Sequence, residues 1–102
     1  MKLLTKEIIK KIPPLYSTKN IPTEEKTVAV KFFNPTGRGT WYAVEGEQLE
    51  NGDWEFFGLV DLFEKEWGYF RLSELQAFRG RFNLGIERDR HFNNVKISTI
   101  GA

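Results

Sequence analysis

Three aromatic-rich runs limit what this chain can become: Trp41-Tyr42-Ala43-Val44, Trp54-Glu55-Phe56-Phe57-Gly58-Leu59-Val60 and Trp67-Gly68-Tyr69-Phe70-Arg71-Leu72. Short runs of aromatic and β-branched residues between turn signals read as neighbouring strands. The turns are present: Asn34-Pro35-Thr36-Gly37-Arg38-Gly39 after an alternating stretch from Thr27 to Phe33, and Asn51-Gly52 between the first two ring-rich runs. The pattern predicts strands over 27–33, 40–47, 54–61 and 67–72, with a fifth extended segment over 84–92.

Two short helices frame this meander. Thr5 is an N-cap residue, Ile8, Ile9 and Ile12 recur at helical spacing, and Leu4 with Ile9 occupies the positions of a hydrophobic staple. Pro13-Pro14 ends that helix, since the first proline disfavours helical geometry at Ile12 and neither ring nitrogen can donate. Ser73 and Gln76 match the spacing of a capping box for a second helix that stops at Gly80. The resulting expectation is a single α+β domain over residues 1–102. It has an antiparallel meander of four to five strands, two short helices packed on one face, and a loosely ordered tail at 93–102.

A period-2 sorting places Val28, Val30, Phe32, Tyr42, Val44, Phe57, Leu59, Phe70 and Leu72 on a core face. It leaves Phe33, Trp41, Ala43, Phe56, Val60, Trp67 and Tyr69 on the opposite one. Two helices of two turns each cannot cover both faces. Either the C-terminal segment folds over the second face or that face is open to a partner.

Composition narrows the function classes. With no cysteine among 102 residues, disulfides, thiolate nucleophiles and Cys-based zinc sites are excluded. The start of the chain turns polar after two leucines and no apolar run approaches a membrane span, so the expectation is a soluble cytoplasmic protein with no membrane partner. Net charge is +1, but residues 1–31 carry seven Lys against three Glu, and residues 40–75 carry nine carboxylates against Lys65 and Arg71. Residues 79–96 are basic again, with five cations against Glu87 and Asp89.

The runs from Trp41 to Gly46, Phe56 to Asp61, Glu64 to Phe70 and Leu72 to Leu75, with Ile86-Glu87-Arg88-Asp89 and the opening Lys2-Leu3-Leu4-Thr5, form an ordered series. From residue 1 to about 92 the chain resembles a family of small single-domain proteins of unknown function encoded on bacterial plasmids, conjugative elements and phages. The resemblance implies a cytoplasmic role tied to a mobile element, in its maintenance or in opposing host defence. It implies no cofactor and no catalytic residue.

Candidate chemistry is sparse. Glu87, Asp89 and His91 would share one side of a strand and could hold a divalent metal for water activation, but their spacing is common and no fourth ligand is evident, so no metal is assigned. Asp61, Glu64 and Glu66 cluster at a hairpin, where exposed carboxylates keep ordinary acidity. Ser73 has a capping job and no adjacent base. The leading reading is therefore non-catalytic, with enzyme activity left open: an accessory protein that binds another protein, or itself, through Trp41, Trp54, Phe56, Trp67, Tyr69 and Arg71. The alternative is a single-stranded nucleic-acid binder, with the same rings stacking bases and Lys31, Arg38, Arg79, Arg81, Arg88 and Arg90 holding phosphates. A metal-dependent hydrolase is the third. No cofactor is expected.

Overall fold

A computed structural model describes residues 1–92 and 94–100. Asn93, Gly101 and Ala102, part of the tail expected to be loosely ordered, lie outside the described residues. Helix α1 spans Lys6–Lys11, and strands β1 to β5 are Thr27–Val28, Val30–Phe33, Thr40–Gln48, Trp54–Asp61 and Lys65–Arg71. Helix α2 spans Leu72–Ala77, followed by strands β6 (Glu87–Arg88) and β7 (Val95–Lys96). A five-stranded antiparallel sheet runs β5-β4-β3-β2-β6, and β1 pairs with β7 in a separate two-stranded ribbon. The fold is thus α+β with a meander at its centre.

The helices begin and end for local reasons. The Thr5 side chain accepts the Ile8 N–H at 3.3 Å, which caps α1, and Ile12 is the last residue before the proline pair. The staple fails, because Ile8 and not Ile9 packs inward, alongside Leu3, Leu4 and Ile12. The capping box at α2 lies two residues before its expected place. Arg71 is the N-cap and donates its N–H to Glu74 at 2.8 Å. Ser73 instead ties the helix to the β3–β4 hairpin: its N–H and hydroxyl are given to Asp53 at 3.0 and 2.6 Å. These bonds, the hydroxyl's first, hold the Asp53 carboxyl below its ordinary pKa.

Both helices lie on one face of the sheet. There Val30, Phe32, Trp41, Ala43, Trp54, Phe56 and Phe70 meet Leu3, Leu4, Ile12, Leu75 and Ile86 in one buried cluster. Phe56 is its centre, fully buried and in ring contact with Phe32, Trp54 and Phe70 at centroid separations of 5.3 to 6.1 Å.

This corrects the period-2 sorting in three places. The expected strand over 27–33 breaks at Ala29, whose N–H goes to Ala43. Val28 and Val30 consequently enter different clusters. The register of β3 against β4 shifts between Ala43 and Glu45, a bulge that returns the strand to the opposite phase. Finally, Trp41 and Phe56 share the sealed face with Phe32 and Phe70, whereas Tyr42, Phe57 and Leu59 belong to the second face. The fifth extended segment contracts to the two residues of β6 beside β2.

The second face has its own cluster of Val28, Tyr42, Val44 and Leu59, with Phe92, Ile97 and Ile100 packed over it and Phe57 and Trp67 at its margin. The C-terminal residues reach it because β7 pairs with β1 and Ile97 donates its N–H to the Lys26 carbonyl at 3.0 Å. This cover stops short of the far end of β5.

Candidate functional site: an aromatic groove over a buried ion pair

At that uncovered end, two registers place rings in rows across the sheet. Glu45, Phe57 and Tyr69 are one cross-strand row, and Tyr42, Leu59 and Trp67 are the next. Phe57 stands 5.5 Å from Trp67 and 5.1 Å from Tyr69, ring centre to ring centre. The loop between α1 and β1 adds Tyr16, 6.4 Å from Tyr69. Tyr16 and Tyr69 remain 66% and 53% exposed. Tyr16, Phe57 and Tyr69, together with Lys19, Ile21 and Thr23, line a groove of about 270 Å³ whose floor contains Lys26 and Glu45.

The loop is held by a charge. Glu45 sits at the bulge of β3 and is buried, as is Lys26. One Glu45 oxygen accepts the Tyr16 N–H at 2.8 Å, and the other accepts the Thr18 N–H at 3.1 Å and the Thr18 hydroxyl. The Lys26 ammonium lies 4.0 Å from Glu45 and donates to the Thr18 hydroxyl at 2.8 Å and to its carbonyl. A buried carboxylate in a fully bonded cage of this kind fixes the chain around it, and removing either charge leaves the other without compensation. The entry to the loop is fixed too, since Gly46 donates its N–H to the Pro13 carbonyl at 2.9 Å.

Tyr16 shows what this anchoring achieves. Its φ is +68°, the left-handed region in which a bulky residue is an outlier costing of order 1–3 kcal/mol. The strain is held by the carboxylate on its N–H and turns the phenol outward against Tyr69. The hydrogen bond that the neutral Tyr69 phenol gives to Tyr16 is the main cause that raises the Tyr69 pKa, followed by desolvation, the Tyr16 charge and the charges of Glu45 and Glu55.

The other residues named from sequence are distributed differently. Trp41, Trp54 and Phe56 lie in the sealed core, so they line no surface. Trp67, Tyr69 and Arg71 stand on the second face, Arg71 3.7 Å from Glu55. Of the basic set, Lys31 pairs with Asp89 at 3.5 Å and covers the rings of Tyr42 and Phe92. Arg79 donates to the Gln76 and Phe78 carbonyls, and Arg88 to the Lys2 carbonyl. Arg38, Arg81 and Arg90 are exposed. Asp89 accepts the His91 N–H at 3.0 Å, and among the described residues no group of three His, Cys, Asp or Glu could hold a metal. A larger cleft of about 550 Å³ between Leu3, α2 and residues 83–87 holds Arg79 and Glu87, but that guanidinium is already bound to carbonyls. Among the described residues, no helix is long and apolar enough to cross a membrane.

Sequence reasoning missed Tyr16, Ile21 and the Lys26–Glu45 pair. One signal was available: Glu45 directly follows the apolar run Trp41–Val44, and a carboxylate at the buried end of a strand requires a partner.

A family model described as "Protein of unknown function (DUF2958)" matches residues 3–100. The chain belongs to the DUF2958 family. No curated protein and no solved structure matches it. For DUF2958, the matched span takes in the sheet, both helices and every residue of the aromatic groove.

Proposed function

We propose that this DUF2958 protein acts by binding another protein through the groove formed by Tyr16, Ile21, Phe57 and Tyr69, with Trp67 stacked beside it on Phe57. The observation that carries the reading is the exposed Tyr16–Tyr69 pair, one ring held outward on a strained backbone by a buried carboxylate. Exposed aromatics with positive φ occur at Tyr16 and at Phe82 (φ +59°), and what sets Tyr16 apart is the buried carboxylate on its N–H and the neighbouring ring of Tyr69. Tyr and Trp bury large area with little loss of rotamer freedom, which suits them to recognition. Two other exposed phenylalanines, Phe63 and Phe82, stand apart: among the described residues neither contacts another ring. A non-catalytic, cytoplasmic accessory role on a plasmid, conjugative element or phage is the biological setting that the sequence resemblance supports.

The test is affinity capture from host lysate with wild-type protein, a Tyr16→Ser/Tyr69→Ser double variant and a Phe63→Ser control. A protein retained by wild type and by the control but lost from the double variant is expected. Identical recovery on all three baits, or a salt-dependent gel shift with single-stranded DNA or RNA and no captured protein, overturns the reading.

A further inference from the structure

Strand β5 is the outer strand of the sheet, paired among the described residues only with β4. Its backbone groups can be oriented from two independent bonds. Arg71 gives its N–H to Glu74, away from β4. Alternate residues of an antiparallel strand turn their N–H and C=O to opposite sides, so those of Trp67 and Tyr69 also point away. From the other direction, the Ala43 carbonyl is taken by Ala29, which turns Tyr42 toward Leu59 and Gly58 toward Gly68. Both routes leave Trp67 and Tyr69 on the free side, and among the described residues no segment outside the sheet bonds to their backbone. No Pro interrupts β5, and a Cβ placed on Gly68 would meet nothing within 4 Å. Such an edge is a template for one more strand.

Charge chooses the occupant. Of the charged residues on β5, Lys65 and Arg71 lie on the Trp67–Tyr69 face opposite Asp61 and Glu55 of β4, whereas the helix-bearing face beside Gly68 carries Glu66 with no cation of β5 on that side. A second copy of the chain fits poorly. Antiparallel self-pairing about Gly68 sets Lys65 of each copy opposite Arg71 of the other, two like-charge pairs across the new ladder. We infer that β5 accepts an extended segment of a protein partner as an added strand, with apolar side chains alternating with lysine or arginine. The apolar side chains continue the row of Trp67 and Tyr69, and the basic ones lie on the side of Glu66. This rests on the groove reading and adds the conformation and charge of the ligand.

The probe is a short fluorescent peptide of alternating lysine and valine, titrated against the full chain by anisotropy. Saturable binding is expected, with the glutamate-for-lysine peptide at least about tenfold weaker. N-methylation of one alternating set of peptide nitrogens should abolish binding while methylation of the other set spares it, because only one set faces β5. No binding of the parent peptide overturns the inference, as does binding that tolerates both methylated sets. A Tyr69→Ser variant separates the two ideas. If both methylated peptides bind wild type but fail on this variant, strand addition is wrong and the ring groove stands. If neither change matters, both fall. A dimer in sedimentation that the peptide does not dissociate makes the second copy the occupant and overturns a basic heterologous ligand.

Discussion

The two faces of one sheet bury rings of the same kind to different ends. On the helix-bearing face, Phe32, Trp41, Trp54, Phe56 and Phe70 close against two helices and the N-terminal residues. On the other, Phe57, Trp67 and Tyr69 share the sheet with a cover, Phe92, Ile97 and Ile100, that reaches only part of it. Ring-rich strands therefore do not by themselves mark a binding surface. What separates the faces is where the chain on either side of the sheet returns to it.

The contrast can be broken by mutation. Phe56→Ala should cost about 3–5 kcal/mol in urea unfolding, as expected for a buried ring with no route for collapse. Phe57→Ala, one residue away on the partly covered face, should cost about half as much or less; equal losses would erase the distinction.

Glu45→Leu should cost about 3 kcal/mol by stranding Lys26. The double variant Lys26→Met/Glu45→Leu should recover most of that stability while still losing the captured protein, since Tyr16 is no longer held. Full retention of binding by the double variant would show that the groove does not depend on the anchored loop.

Gly58→Ala should cost about 2–3 kcal/mol, because a methyl there overlaps the Tyr42 carbonyl, whereas Gly68→Ala should change stability by less than about 1 kcal/mol. Comparable losses at the two glycines would contradict the open space beside β5.

The smallest effect is titrational. The Tyr69 pKa is raised in the folded state, chiefly by Tyr16. The stabilisation linked to its proton is present below the ordinary tyrosine value and is lost as pH rises through the raised one. Tyr16→Phe should lower the Tyr69 midpoint in ring-carbon NMR titrations, and an unchanged midpoint would mean that the two phenols do not bond.

Much of this fold is legible in residue order. Thr5, Pro13-Pro14 and Asn51-Gly52 state local boundaries, and the ring-rich runs state the strands. The faces were not legible, because period-2 alternation survives only where a strand is continuous. Ala29 interrupts one strand and the bulge at Ala43/Glu45 shifts another, and both irregularities are set by tertiary hydrogen bonds. The site was half legible. Of the residues named from the ring-rich runs, Tyr69 lines the groove, whereas Tyr16 and Ile21 belong to a polar loop whose position depends on a carboxylate far along the chain. That long-range bond leaves no local trace except a Glu after an apolar run.

Glu45 belongs to a strand with neighbours on both sides, so its carboxylate takes its final place only once those neighbours are aligned. A partially assembled chain displays no ordered phenol pair, however much helix it contains. A partner of the kind proposed, gripping Tyr16 and Tyr69 together, would therefore engage the assembled sheet and pass over chains in which Glu45 has no fixed place.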